Sequence, residues 1–237
     1  MAQRTDDDSA SKPAAVFSDP DLFFGHFHRM AQSLLVSGGS ELGLGLTLFS
    51  LAVSIRAENI IEIGRWKGFS TFCLASALRY IDIGWKEPDT HKQRPDISYE
   101  NLEMPKGHKL ISIDPFPQKS AREVIETAGL MNYVEFVNAP SESVAVDRQV
   151  DLLFIDGDHS YEGCSNDVIN YVPRVLRPGG YFILHDYYGW YDERGRNNSP
   201  IKRVVDEIAV MKVFEQLLID TGYMSFVIYR KPVPVPA

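Results

Sequence analysis

The chain has 237 residues, 44% hydrophobic and 24% charged, enough to bury a core without disulfide or metal staples and within reach of one large domain. Its 24 basic residues are outweighed by 32 acidic ones, for a net charge of −8; with no basic stripe along the chain, nucleic acid is not an expected partner. No run approaches the ~20 apolar residues of a membrane span, and the N-terminus, with Asp6, Asp7 and Asp8 and no apolar stretch, is unlike a signal peptide, so the expected setting is cytoplasmic.

Residues 1–18 are polar and read as a disordered tail. From Asp21 to Val36, the positions Leu22, Phe23, Phe27, Met30, Leu34 and Leu35 recur with helical spacing, and Ser37-Gly38-Gly39-Ser40 ends that helix. A second helix, about Leu44 to Ala57, follows. Residues 19–57 are thus a helical extension that packs beside the sheet or forms a lid over its carboxyl end. The β-branched run Ile60, Ile61, Ile63 reads as a buried parallel strand. Gly64 and Gly68 follow at once, then Ser70, Thr71 and the helical run Phe72 to Leu78, which continues to about Ile81. Strand, glycine turn and helix in that order open a doubly wound nucleotide-binding unit.

A polar stretch from Gly84 to Lys109 with Pro88, Pro95 and Pro105 separates this helix from the strand Leu110 to Asp114. It joins a helix end to a strand start, away from the ligand crevice, and reads as an insertion or contact surface. The rhythm then repeats. A helix over Ala121–Ala128 stops at Gly129, and Tyr133–Val137 is a strand. Asn138 to Glu142 form a loop into a short helix, and Asp151–Asp156 is an apolar strand ending on a carboxylate. A helix over Tyr161–Val175 ends at Arg177-Pro178-Gly179-Gly180, before a fifth strand, Tyr181–Leu184. An aromatic, arginine-bearing loop, Tyr187 to Ser199, suits recognition of a sugar or acidic aromatic; a lid hinge or partner interface fits it as well. A helix starting near Pro200 precedes two strands, about Phe214–Ile219 and Tyr223–Tyr229, joined by the hairpin signal Asp220-Thr221-Gly222. Cys73 and Cys164 fall in helices as small buried residues, and Trp66 and Trp85 are assigned to packing.

Ligands of parallel sheets sit outside the carboxyl ends of the strands. Here those ends carry Glu62-Ile63-Gly64, Asp114, Asn138 to Glu142, Asp156 and His185-Asp186. Glu62 before the first glycine suits a cationic ligand end better than a pyrophosphate, and the Glu-x-Gly-x-x-x-Gly spacing is not that of dinucleotide enzymes. Asp114 ends the second strand, where an acid accepts hydrogen bonds from ribose hydroxyls; starting the turn with Pro115 is the plainer alternative. The 50-residue offset from Gly64 exceeds the usual separation because of the 26-residue stretch before the strand.

The segments Ile61-Glu62-Ile63-Gly64 with Gly68, Ser112-Ile113-Asp114, Leu153 to Gly163 and Leu176 to Tyr181 resemble those of class I S-adenosylmethionine-dependent methyltransferases. Within that class, Asp156-Gly157-Asp158-His159-Ser160-Tyr161-Glu162-Gly163 and His185-Asp186-Tyr187 look most like bacterial macrocin- and novobiocin-type small-molecule O-methyltransferases. The resemblance implies an α/β, Rossmann-like, seven-stranded sheet with an antiparallel last strand over residues 58–232. It implies that Glu62, Gly64, Lys67, Gly68 and Ser70 hold the methionine end of S-adenosylmethionine, Asp114 the ribose, Ser141 and Glu142 the adenine side, with Asp156 beside them. It also implies a divalent ion, Mg²⁺ or another, on Asp156, His185 and Asp186, with His185 standing where an acid is usual. A satisfied strand-end histidine remains open there.

The implied reaction is methyl transfer to a hydroxyl of a small molecule. An alcohol needs a metal or a base to become nucleophilic. His159 is the leading base candidate and Asp158 the second, while His159 as a helix-start residue with Ser160 as N-cap is the alternative. Two rival functions stay open: other chemistry in the same crevice, as in hydroxylase-associated relatives, and a non-catalytic binding module. The N-terminal helices and the 84–109 insertion are candidate contacts for a homo-oligomer.

Overall fold

The alternation of side chains along the first strand sets the architecture, and the computed structural model describes it over residues 42–84, 107–116, 118–187, 199–220 and 225–234. In β1 (Asn59–Ile63), every residue after Asn59 is buried. Successive side chains of a strand point to opposite faces, so burial throughout requires a cover on both sides. One cover is formed by α1 (Leu42–Ser54) and α2 (Phe69–Gly84), whose Leu48, Phe72, Leu74 and Leu78 pack with Ile60, Leu110, Phe154 and Phe226 of the sheet. The other is α4 (Tyr161–Val175) with α5 (Pro200–Met211), whose Tyr171, Val172, Val204 and Ile208 meet Ile61, Ile63, Leu153 and Leu184. Between these helices in the chain, α3 (Lys119–Thr127) places Ile125 in the first cluster.

The remaining strands are β2 (Lys109–Ile113), β3 (Val134–Val137), β4 (Val150–Ile155), β5 (Leu176–His185), β6 (Glu215–Asp220) and β7 (Ser225–Arg230). Their order is β3-β2-β1-β4-β5-β7-β6. The pairs from β3 to β5 are parallel, and β7 runs antiparallel to both β5 and β6. The fold is therefore the expected seven-stranded α/β layer sandwich, with the strand order reversing between β1 and β4. Ligands of such sheets bind at that reversal, outside the strand ends. Among the described residues no helix is long and apolar enough to cross a membrane.

Among the boundaries that differ from the sequence reading, two have a plain local cause. The fifth strand starts at Leu176, before Arg177-Pro178-Gly179-Gly180, because Leu176 already pairs with Val150 and Tyr181 resumes pairing at Leu152. The intervening residues form a bulge, in which Gly179 takes φ +77° and its N–H donates to the Lys231 carbonyl at 2.8 Å. A bulge interrupts a ladder without ending it. The second N-terminal helix ends at Ser54, three residues short of Ala57, and Arg56 follows at φ +52°. The helix expected over Asp21–Val36, almost all of the 84–109 insertion and most of the aromatic loop lie outside the described residues. Both cysteines are buried and free.

Asp151 ties the base of the sheet together. Its Oδ2 accepts the N–H groups of Glu58 and Asn59 at 2.7 and 2.9 Å, while Oδ1 pairs with Arg177 of the bulge. Asp151→Ala leaves two amides and a guanidinium without their acceptor, and urea unfolding should show a loss of about 1–3 kcal/mol.

Candidate active site

The carboxyl ends of β1 and β4 meet at Gly64. Its N–H donates to Ile113 at 2.8 Å and its φ is +84°, a value that favours glycine. A Cβ placed there would stand 2.0 Å from the Asp156 carbonyl oxygen, so no other residue lets the turn lie this close to β4. Asp156 answers with its own N–H to Ile63 at 2.8 Å. Above this junction opens a cavity of about 910 Å³.

Of the residues singled out in the sequence, Gly64, Asp114, Ser141, Glu142, Asp156, Asp158 and His159 line this cavity. Glu62 does not. Ile61 and Ile63 face α4, so the strand alternation turns Glu62 toward α2, where it is fully buried. There Oε2 accepts hydrogen bonds from Thr71 at 2.7 Å and Ser112 at 2.5 Å, with Ser70 as a further partner. Oε1 is buried without a partner among the described residues. Burial pushes the Glu62 carboxyl up to about 7, against these hydrogen bonds and the charge of Arg65. Glu62 and Ser70 thus brace the turn from behind. Gly68, at φ +89°, backs onto Ala121. Lys67 places its ammonium 4.4 Å from the centroid of the Trp66 ring.

Asp114 is 7% exposed, and its carboxylate is already engaged. Oδ2 accepts the Arg65 and Trp66 amides at 3.0 and 3.1 Å, and Oδ1 the Phe116 amide at 2.7 Å. Three donors leave lone-pair capacity for a ligand hydroxyl. Arg65, buried beneath, donates to the carbonyls of Ser112 at 2.8 Å and Val137 at 3.2 Å and to the Asn138 side chain, locking β2 to β3.

Asp156 is the electrostatic centre. Its Oδ1 faces His185 Nδ1 at 2.9 Å and His159 Nε2 at 3.3 Å, and the other ring nitrogen of His159 is 3.3 Å from Asp186 Oδ2. Burial alone would raise the Asp156 carboxyl, but the charges and hydrogen bonds of His185 and His159 prevail and bring it down to about 2. His159 moves the other way: its hydrogen bond to Asp156 and the charges of Asp156 and Asp186 raise it, despite partial burial and the repulsion of His185. Asp156, His185 and Asp186 each offer one ligand atom, all within 4.8 Å of one another. That is the set expected for a divalent ion, and its oxygen and imidazole donors suit one. Asp158 turns its oxygens to Ser160, accepting from N–H and Oγ at 2.9 Å each. Ser160 in turn caps α4 by accepting from Gly163.

Two of the wall residues that escaped the sequence reading bear on the chemistry of the cavity. Trp66, assigned to packing, is instead 50% exposed and lines the cavity, because φ +39° turns it out of the glycine turn. Asp167 is buried in α4 and also lines the cavity. Its signal was a carboxylate on the same helical face as Cys164 and Tyr171. Six carboxylates and no lysine or arginine stand among the described lining residues, so the cavity favours a cation.

A family model described as Methyltransferase domain matches residues 61–187, more than half of the chain. No curated protein matches the sequence. Several solved structures share the fold. The O-methyltransferase TomG of Streptomyces achromogenes, involved in tomaymycin synthesis and in complex with SAM, is 17% identical over 90% of this chain and 96% of its own, with a TM-score of 0.60. An O-methyltransferase of Bacillus cereus in complex with SAH is 19% identical over 87% and 90%, at 0.59. The SAH-bound methyltransferase PaMTH1 of Podospora anserina is 16% identical over 90% and 89%, at 0.60.

The raised carboxyl of Glu62 has a signature in stability. The unfolded group ionises near 4.5 and the folded one near about 7, so between these values the unfolded chain binds fewer protons. Stability contributed at this site therefore falls as pH rises through that window and levels off above it. Glu62→Gln should flatten that slope in urea titrations run across the window, whereas an unaltered slope would show that burial does not hold the group neutral.

Proposed function

The chain belongs to the methyltransferase-domain family, and from that premise we propose that it transfers a methyl group from S-adenosylmethionine to a hydroxyl oxygen of a small molecule. The observation that carries this reading is the acid-lined cavity at the reversal of strand order, with Gly64 and Asp114 in its wall. When bound, S-adenosylmethionine supplies a sulfonium methyl open to in-line displacement by oxygen, and its positive charge suits six carboxylates. Asp114 has lone pairs left for ribose hydroxyls, and Ser141 and Glu142 fit the adenine side. Glu62, Lys67, Gly68 and Ser70 act through the shape of the glycine turn. The likeness to TomG, a protein of tomaymycin synthesis, favours a natural-product-like or sugar hydroxyl as acceptor.

His159 is the base in this reading. Its side chain is 40% exposed at the cavity, and Asp156 and Asp186 orient its ring. Their charge makes the imidazole more basic than in water, so a ring nitrogen released to an entering hydroxyl takes up its proton. Asp158 ranks behind it, since both its oxygens serve Ser160. Asp156, His185 and Asp186 would hold a divalent ion, whose contribution is to lower the pKa of the acceptor hydroxyl. The imidazole among these ligands tilts the choice away from Mg²⁺ toward a softer ion.

Calorimetry of the purified chain should show S-adenosylhomocysteine binding and no NADH binding; the reverse result overturns the cofactor assignment. With an accepted hydroxyl in hand, His159→Ala should lower kcat about 100-fold or more while leaving S-adenosylhomocysteine affinity nearly unchanged. Full activity of Asp186→Ala in the presence of chelator would remove the ion from the reaction and leave the base in place.

A further inference from the structure

A second, smaller hollow of about 170 Å³ opens where α3 meets the end of β3, lined by Arg65, Gln118, Lys119, Arg122, Phe136 and Asn138. Of these, only Gln118 belongs also to the wall of the large cavity. Helical spacing puts Gln118, Lys119 and Arg122 on one side of α3. Phe136 and Asn138, two residues apart, share one side of the strand and its continuation. The whole chain carries a net charge of −8, yet this hollow has three cations and no acid among its lining residues.

Arg65 is the buried one, 3% exposed. Its guanidinium donates to the carbonyls of Ser112 and Val137 and to the Asn138 side chain, all neutral acceptors. Asp114 and Glu62 attract it through space, but among the described residues no carboxylate forms an ion pair with it. Arg122 stands close by, for the two guanidinium carbons lie 5.3 and 4.9 Å from the centroid of the Phe136 ring. The ring attracts each of them without cancelling their charge. Burial first, and then the repulsion of Arg122, lower the Arg65 guanidinium against the pull of Asp114 and Glu62. The acid nearest Arg122 is Glu126, 3.9 Å away and beyond hydrogen-bond distance. Lys119, paired with Glu123, stands exposed at the rim.

Neutral donors complete the lining. Asn138 gives its Oδ1 to Arg65, which leaves Nδ2 to donate. Gln118 makes no side-chain capping bond to α3, so its amide is at hand as well. Buried charges are ordinarily paired, and here two guanidiniums and two amides converge with no anion between them. We propose that this hollow is an oxyanion site, which takes a phosphate group between Arg65 and Arg122 with the amides of Gln118 and Asn138 as further donors. A tetrahedral dianion matches two positive charges and accepts from several directions, where a planar monovalent carboxylate meets fewer of these groups. The site lies outside the cavity assigned to the methyl donor and does not depend on that assignment.

The test is calorimetry of the full chain with inorganic phosphate, at an ionic strength held constant with chloride. The wild-type chain should take up one phosphate in a saturable step with a Kd of about 1 mM or tighter. Methyl phosphate serves as the second probe: if it competes, the group is read on an organic molecule, and if it is excluded, the free ion is the ligand. Arg122→Gln alters a half-exposed side chain, so thermal unfolding should stay nearly as in wild type while phosphate binding weakens about tenfold or more. Arg203→Gln is the control, because that guanidinium also lies over a ring, 3.8 Å from the Tyr161 centroid, but already has Glu207 at 3.2 Å. It should keep the wild-type affinity. Absent or unsaturable uptake by the wild-type chain overturns the proposal, as does an Arg122→Gln chain that binds phosphate like wild type. Equal losses in Arg122→Gln and Arg203→Gln also overturn it, since they mark diffuse attraction to surface charge. S-adenosylhomocysteine takes no part in these titrations, so failure of the methyl-donor reading would leave their outcome unchanged.

Discussion

The close approach of Gly64 to Asp156 is the constraint on which the site depends. Strands β1 and β4 are neighbours at the point where strand order reverses, and their ends must separate enough to admit a ligand while still sharing hydrogen bonds. Gly64 meets both demands by taking a positive φ with its α-carbon against the Asp156 carbonyl, at a distance no Cβ survives. With the turn so placed, the Arg65 and Trp66 amides reach Asp114 and the Asp156 amide reaches Ile63. The carboxylates of two strands are thereby fixed beside one cavity before any ligand arrives. Preorganisation of this kind spares a ligand the work of arranging charges.

Asp156 concentrates the electrostatics of that cavity. One of its oxygens is shared by two imidazoles, and a second carboxylate, Asp186, faces one of them from the other side. The cluster keeps Asp156 ionised over the whole physiological range and draws positive charge onto His159. A divalent cation on Asp156, His185 and Asp186 would compete with those same histidine protons, since a ligating imidazole must be neutral. In the proposed reading a base and a metal ligand set would share one carboxylate, which would couple proton and cation at a single point of the sheet edge.

Much of this was legible in the chain itself. β-branched and aliphatic runs of five or six residues separated by amphipathic helices define buried parallel strands, and every strand from β1 to β4 lies within a residue of its expected position. Asp114, Asp156 and His185-Asp186 were identifiable because a parallel sheet gathers strand ends on one side. Three details were not legible, each for its own reason. Glu62 was expected to hold the ligand because it stands two residues before Gly64, but side chains alternate along the strand, and with Ile61 and Ile63 toward α4, Glu62 faces α2 behind the wall. Arg177-Pro178-Gly179-Gly180 looked like a stop because proline and glycine usually end pairing, while the ladder resumes beyond the bulge. Trp66 looked like packing because nothing local announces a positive φ at tryptophan.

Period and spacing by themselves determined the layer order and the antiparallel closing hairpin, because these follow from which residues must leave water and in what rhythm, while the family likeness rested on the motif residues at the strand ends. Tertiary structure alone decided which polar groups share a space. Asp167 and Ser141 are 26 positions apart, and His159 is 27 from Asp186; no local pattern relates them. Their meeting is settled by the packing of α4 on the sheet and by the angle at which each strand end opens, quantities that depend on side-chain volumes across the whole core.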